Sequence, residues 1–460
     1  MPRRHEGTKY YKEYITGNKY FINLSVFVSL WLQKRIFLLL LVLHTFPASL
    51  SAQESRKTFR QDDVFSIFIK KEKRALRDSA TGESIILKKP YFATTPFVGY
   101  NPAYGFLIGV GTTMAIYLGE PHTTPVSSVC AAINLTTAEQ TIITVRSNII
   151  TDGSKYILRG DWRYLVFSQP TYGLGTGIKM HTNRGIVFND GGSTASLPPD
   201  AQPLNYDYIR LYETFFFRFA KNWYLGIGYC LDDFSHIVDH NRVDSVPPQE
   251  TSNYKYCTDH GFNPEKYTMS GLSLEILLDS RNNSIRPTKG YLANIAFRPN
   301  FTFLGSSKNS LMLNTEFRTY LSFSKRRPDH LIGFWYLGQF NEKGTVPYLG
   351  LPALCWDMYN RAGRGYIQGS IRGVNYIYVE SEYRFPISPY SGILSGVAFV
   401  NATSASSDDG THKLFQYIDP AAGVGLRIMF SRKTLSNLCI DFGFGADGTK
   451  GIYFNLNETF

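Results

Sequence analysis

One segment with strict two-residue alternation, residues 376–385, limits most strongly what this chain can fold into. Its even-numbered positions are Tyr376, Tyr378, Glu380, Glu382 and Arg384, and its odd-numbered positions are mostly apolar or aromatic. Successive side chains of a β-strand point to opposite faces, so one face carries the charges. In a soluble sandwich that face meets bulk water, whereas in a membrane barrel it faces a wet lumen and the apolar face meets lipid.

The rest of the chain favours the barrel. After residue 52 no apolar run approaches the length of a membrane-spanning helix. Alternating segments predict sixteen strands, at 92–101, 105–119, 126–137, 140–151, 154–168, 205–220, 222–236, 269–281, 289–302, 310–324, 330–342, 374–387, 392–403, 419–431, 434–446 and 451–460. The longest predicted connections are 169–204, 237–268, 343–373 and 404–418, with short ones mostly between them. This pattern predicts an all-β, transmembrane antiparallel β-barrel with long outer loops over residues 91–460.

The amino-terminal part predicts export. Residues 35–52 have a basic flank, an apolar core and a small-residue exit, which is typical of a signal peptide cleaved near Ala52. A transmembrane anchor is the alternative, because residues 20–32 are also fairly apolar. We therefore predict a leader over 1–52, a short periplasmic extension over 53–90, and location in a bacterial outer membrane.

Charge and motifs exclude several classes of function. The net charge of +11 is not gathered into a basic tract, so we do not expect a nucleic-acid partner. No nucleophile elbow, zinc helix or phosphate loop is present, so we expect no enzyme activity, cofactor or metal. A metal site at His236 and His240, near Asp232, Asp233 and Asp239, is less favoured than a solvated polar loop.

Five cysteines follow residue 52, and none has metal-ligand spacing: Cys130, Cys230, Cys257, Cys355 and Cys439. We interpret them as small hydrophobic residues rather than a disulfide framework. If one pair bridges, Cys257 with Cys355 is the candidate, because both lie in predicted loops.

The predicted closing strand, 451–460, carries Phe454 and Leu456 on the same face as the terminal Phe460. An aromatic residue at the end of an amphipathic strand is expected in the girdle at the membrane interface. Glu458 interrupts this apolar face, and we expect its carboxylate to reach headgroups or water.

Four motifs occur in the order expected of one known family. They are TPFVGYNPAYGFLIGVG at 95–111, LLDSRNNSIRPTKGY at 277–291, GRGY at 363–366 with the following ESEYRFP, and the terminal FNLNETF. Together they resemble the BamA/TamA-type outer-membrane barrels of the bacterial surface antigen superfamily. The resemblance covers residues 91–460. It does not extend to the N-terminal periplasmic repeat domains of that family, because residues 53–90 are too few for one such domain.

The resemblance implies a sixteen-strand barrel whose first and last strands meet at a seam and whose sixth outer loop folds into the lumen. It assigns a lock to three residues of that loop, Arg364, Gly365 and Tyr366, with the arginine bound to acidic residues on the next two strands. Glu382 is one acceptor, or Glu380 on the same face. The second position is Asn401, which accepts a hydrogen bond but brings no charge.

The second motif is expected to be structural. Asp279 and Arg281 end one strand, and Pro287 and Gly290 bracket a turn that proline and glycine make rigid.

The resemblance implies a protein that assists insertion or translocation of client outer-membrane or secreted proteins, with membrane lipid and lipopolysaccharide as its surroundings. Two alternatives stay open: a passive or substrate-specific channel, and a surface-antigen or structural barrel.

Overall fold

The computed structural model describes residues 90–460 except 102–104, 121–122, 138, 178–185, 189–200, 243–249, 326, 389–390, 432–434 and 447. The predicted leader at 1–52 and nearly all of the extension at 53–90 lie outside the described residues. No helix in the described part of the chain is long and apolar enough to cross a membrane.

Strands dominate the described chain. Their bounds are β1 Tyr91–Asn101, β2 Gly105–Ile116, β3 Ser127–Thr136, β4 Thr141–Ile150, β5 Tyr156–Thr171, β6 Ile186–Phe188, β7 Gln202–Ala220, β8 Trp223–Asp239, β9 Tyr267–Asp279, β10 Gly290–Asn300, β11 Ser310–Ser322, β12 Leu331–Gly344, β13 Asn375–Pro386, β14 Leu394–Ala405, β15 Asp419–Ser431, β16 Ser436–Gly445 and β17 Lys450–Leu456. One α-helix, α1 (Ser252–Asp259), lies in the loop between β8 and β9, and Thr251 caps its amino terminus. Sixteen of these strands correspond to the sixteen predicted ones, and the three-residue β6 is the addition.

Each long strand pairs antiparallel with the next long strand along the chain, from β1 to β17. This meander needs only short turns at one end of the sheet, and the long connections fall at the other end. The predicted fold class, an all-β antiparallel barrel sheet of sixteen strands, is confirmed.

The outer face of the sheet is apolar and the inner face carries charged side chains, which is the reverse of a soluble protein. On β5, Trp162 and Tyr164 are exposed while Asp161 and Arg163 between and beside them are buried. On β7 to β10 exposed aliphatic and aromatic side chains likewise alternate with buried ones, and the buried set includes polar residues such as Asp232 and Arg298. A continuous apolar outer face needs lipid rather than water, so the soluble-sandwich alternative is excluded.

The seam differs from the prediction. Among the described residues β1 pairs only with β2, and β17 has no pairing with β1. The outer half of β17 instead pairs in parallel with β6, a segment of the loop between β5 and β7. The sheet is therefore not closed by its own first and last strands.

Candidate functional site

The loop between β12 and β13, residues 345–374, lies inside the sheet and leaves a cavity between itself and the strand wall that contains Asp232 and Arg298. It contacts one wall through Arg163 of β5, which donates hydrogen bonds to Asn360 Oδ1 at 2.7 Å and to the carbonyl of Asp357 at 2.9 Å. It contacts the opposite wall through Gly365, whose amide donates to Tyr453 Oη of β17 at 2.6 Å. The loop therefore links strands that lie far apart in the meander. We call residues 361–367 the loop tip.

The tip turns sharply because its glycines permit it. Gly363 and Gly365 have φ of 90° and 116°, which side-chain-bearing residues rarely adopt. A Cβ atom on Gly365 would lie 2.7 Å from Cβ of Ala421. Next to it, the Tyr366 hydroxyl donates to the carbonyl of Pro420 at 2.6 Å.

Arg364 projects from the tip into a group of carboxylates. Its Nη2 lies 2.5 Å from Glu380 Oε1 and 3.2 Å from Glu382 Oε2, both on β13. Its Nη1 lies 2.6 Å from Asp441 Oδ2 on β16. The guanidinium carbon also lies 3.7 Å from the centre of the Phe399 ring, which is a cation–π contact. The arginine is thus held by two strands and an aromatic face.

Two further arginines extend these contacts into a network. Arg427 of β15 contacts Asp441 at 2.5 Å, Glu458 at 2.9 Å and Glu382 at 3.0 Å. Arg384 of β13 contacts Glu382 at 3.4 Å and Glu458 at 3.6 Å. We call the seven residues the lumen charge network: Arg364, Arg384, Arg427, Glu380, Glu382, Asp441 and Glu458. No side chain among them is more than 5% exposed.

Asn401, the predicted second acceptor, has a different contact. Its Nδ2 donates to the backbone carbonyl of Arg364 at 2.9 Å. It therefore holds the tip's main chain, while Asp441 supplies the charge that Asn401 lacks.

The tip also binds the last strand directly. The Tyr453 hydroxyl accepts from Gly365 N and donates to the carbonyl of Tyr366 at 3.1 Å. Arg361 donates to the carbonyls of Leu456, at 2.7 Å, and of Glu458. The loop is consequently attached to the strand at the sheet's free edge.

The end of the chain corrects the prediction for the closing strand. β17 ends at Leu456, not at residue 460, and Phe454 is exposed on the outer face. Asn457 then takes a φ of 76°, which breaks the alternation and turns the chain inward. Phe460 is therefore buried, with its ring centre 5.5 Å from that of Trp335 and its carbonyl accepting from Arg384 at 3.0 Å. Glu458 is buried in the lumen charge network instead of reaching headgroups.

The turn motif lies at the opposite end of the sheet. Arg281 donates to Asp279 through Nε at 3.0 Å and Nη2 at 2.8 Å. Gly290 has a φ of 92°, and a Cβ there would lie 2.3 Å from the Ser280 carbonyl. Pro287 lies within the same connection, 280–289. These residues belong to, or flank, the ten-residue connection between β9 and β10.

Sequence reasoning missed Asp441, Arg427 and Tyr453. A charged residue at the centre of a glycine-rich strand is the signal for Asp441, because such a residue must face the lumen.

The wall of β5, β7, β8 and β10 carries a second polar group, where Asp232 contacts Arg298 at 2.7 Å and Arg210 at 3.0 Å.

No group of metal-ligating side chains lies together in the described residues. Asp232 and Asp239 belong to β8 rather than to a loop, and His236 Nδ1 lies 2.8 Å from Asp207. All five cysteines named above are free thiols, so Cys257 and Cys355 are not bridged. Burial raises the pKa of Cys257, in the outer helix α1, to about 12, which keeps that thiol protonated and unreactive.

A protein-family model described as the Omp85 superfamily domain matches residues 165–460. The chain belongs to the Omp85 superfamily. Membership confirms the resemblance to BamA/TamA-type barrels at the level of the superfamily, and it implies an outer-membrane location. A comparison with curated protein sequences finds no match.

Two solved structures are similar to this Omp85 protein. BamA from Haemophilus ducreyi lacking POTRA domains 1–3 is 15% identical, with a TM-score of 0.47, and the match covers 80% of this chain and 70% of that one. CdiB from Acinetobacter baumannii is 12% identical, with a TM-score of 0.42, covering 78% of this chain and 56% of that one.

Proposed function

We propose that this protein assists the insertion or translocation of other proteins at the outer membrane, through strand pairing at its unclosed seam. The observation that carries the proposal is the pair of sheet edges, on β1 and β17, that do not bond to each other in the described chain. In lipid each unpaired backbone group costs several kcal/mol, so such an edge favours a partner strand strongly. An extended client segment can supply the missing hydrogen bonds.

The proposed activity is not enzymatic. Strand exchange makes and breaks hydrogen bonds only, so it needs no catalytic group, cofactor or metal. Its partners are client outer-membrane or secreted proteins in an extended state, together with lipid and lipopolysaccharide.

The loop tip supports the proposal because it holds the last strand. Arg361, Gly365 and Tyr366 all bond to β17 or to the residues just after it. The tip therefore fixes one edge of the seam against the wall formed by β13 to β16, and we expect that position to decide how readily the edge accepts a client.

The test is reconstitution. The full chain, purified from outer membranes, is placed in liposomes, and the folding of an unrelated small barrel diluted from denaturant is timed. We expect faster folding than in empty liposomes, and loss of the acceleration with Arg364→Ala. No acceleration from a preparation shown to be folded by its heat-dependent gel mobility would contradict the proposal.

A further inference from the structure

The edge of β17 that faces away from β16 carries a short strand of the same chain. Ile186, Val187 and Phe188 of β6 pair in parallel with Lys450, Gly451 and Ile452. Every other strand pair in the described sheet is antiparallel. β6 belongs to the outer loop between β5 and β7, which starts on the far side of the barrel mouth.

The first residues of that loop cross the mouth and are fixed there. The amide of Gly175 donates to the carbonyl of Arg372 at 2.8 Å. Thr176 donates through its amide to the carbonyl of Ala405 at 3.2 Å and through its hydroxyl to that of Tyr417 at 2.9 Å. These hydrogen bonds anchor the loop beside the outer ends of β14 and β15.

The glycine-rich run at 173–177 makes this anchor possible. Gly175 and Gly177 have φ of 100° and 79°. A Cβ on Gly175 would lie 2.7 Å from Cβ of His412, and a Cβ on Gly177 would lie 2.5 Å from Cγ of Tyr417. The run therefore fits against the loop at 406–418, and side chains at these two positions would push it away.

The anchor brings the chain within easy reach of the seam. Eight residues separate Gly177 from Ile186, and the nine residue-to-residue steps can span at most about 30 Å. Two strand spacings separate β15 from β17, which is about 10 Å. The length of chain is therefore sufficient for β6 to reach the edge of β17.

We propose that β6 is a built-in cover on the edge of β17, which an incoming client strand must displace. Covering an exposed strand edge is a general way to prevent unwanted edge pairing. This cover is suited to removal: it spans three residues, it is parallel, and parallel pairing is slightly less stable per residue. On its other edge, β17 pairs with β16 over seven positions. The inference rests on the proposed function, since displacement matters only if clients pair at this edge.

Cysteine cross-linking tests the position of the cover. In a full-length variant whose five native cysteines are replaced, Ile186→Cys is combined with Lys450→Cys, its register partner. The matched control combines Ile186→Cys with Phe454→Cys, four residues further along β17 and about 13 Å away. We expect oxidation to cross-link the first pair and not the second. No cross-link in the first pair, or equal cross-linking of both, would overturn the assignment.

Insertion kinetics test its role. With the first pair oxidised, we expect the acceleration of client folding to be lost, and to return on reduction. In the otherwise native chain, Gly177→Val should release the anchor and increase the acceleration. If the cross-linked protein inserts clients as fast as the reduced protein, β6 is a permanent structural strand and the cover is ruled out.

The two proposals fail in different ways. If the cross-link forms but neither the oxidised nor the reduced protein accelerates client folding, the proposed function is ruled out. The role of β6 as a cover is then ruled out as well. A cross-link that leaves a measurable acceleration unchanged would remove the cover alone.

Discussion

Arg364 is the residue on which the interior loop depends most. Its side chain is 1% exposed and the three carboxylates that it contacts are fully buried. Charges removed from water to this degree are stable only when paired and hydrogen-bonded. The arginine therefore acts, together with Arg427 and Arg384, as a counter-ion of these carboxylates, and it is the one that contacts Glu380.

Replacing Arg364 should destabilise the barrel. Removing one partner of a buried ion pair costs about 3–5 kcal/mol because the opposite charge stays buried. Arg427 still contacts Glu382 and Asp441 in the variant, so the loss falls mainly on Glu380. We expect Arg364→Ala to lower the free energy of unfolding in detergent by that amount, which appears as a lower urea midpoint. Arg364→Lys should lower it less. The control is Lys255→Ala, which removes an exposed pair with Asp259 and should leave the midpoint unchanged. Equal midpoints for Arg364→Ala and the control would contradict the prediction, because they would show that water solvates these charges.

Tyr453 gives a second prediction at this scale. Its hydroxyl bridges the Gly365 amide and the Tyr366 carbonyl, so Tyr453→Phe leaves a buried donor without its acceptor. We expect a loss of about 1–3 kcal/mol, measured by the same urea titration. Trp162→Phe loses the hydrogen bond to Glu213 on the exposed face and serves as the control. A Tyr453→Phe midpoint equal to that control would mean that the bridge is not formed.

Asp409 gives a pH prediction outside the membrane. Hydrogen bonds from the Ser407 hydroxyl and from the amide and hydroxyl of Thr411 lower the pKa of its carboxyl to about 2. The turn is therefore stabilised above the ordinary carboxyl pKa of about 4 and loses that contribution as the pH falls through 2. The Thr411 amide shift in an NMR titration should move near pH 2. A midpoint near 4 would contradict this, and Asp409→Asn should abolish the titration.

At the scale of elements, the loop tip depends on glycine for space as well as for conformation. Gly365 has positive φ and crowded surroundings, whereas Gly410 has positive φ (74°) with nothing within 4 Å of where its Cβ would lie. The two positions therefore separate backbone strain from crowding.

We expect Gly365→Ala to displace the tip and Gly410→Ala to leave it in place. The added methyl group at 365 would lie 3.1 Å from the Phe444 carbonyl carbon, and strand backbone cannot move aside cheaply. Hydrogen–deuterium exchange over residues 361–367 should become faster in Gly365→Ala only. Slow exchange in both variants would show that the tip tolerates a side chain.

The strands were predictable from sequence because a period of two, bounded by turn residues, is a local signal. The end of β17 was not predicted, since Asn457 leaves the extended conformation and reverses the faces of the residues after it. Asp441 and Arg427 were missed because contacts across the lumen have no local signature. The unpaired seam was missed for a similar reason: β6 has only three residues, and its place depends on where the loop is anchored.

At the scale of the whole molecule, the interior is occupied. Loop 345–374 runs between β5 and β17, and the lumen charge network lies beneath its tip. We therefore expect this loop to restrict passage through the barrel.

Conductance separates the open alternatives. In planar bilayers we expect the intact protein to stay closed with brief openings, and Arg364→Ala to open longer, because the tip is then held by hydrogen bonds alone. Steady, large conductance from the intact protein would favour a channel function over protein insertion.

The attachment of one loop tip to β13, β16 and β17 also has a mechanical consequence. Tension applied at the outer surface of the loop would pass through two ion-paired strands and one hydrogen-bonded strand, and not through the β-turns. The last hairpin, β16 and β17, would therefore take part of that tension directly through the tip. A pull on the outer loops by a surface ligand would be transmitted to the edge where the sheet opens.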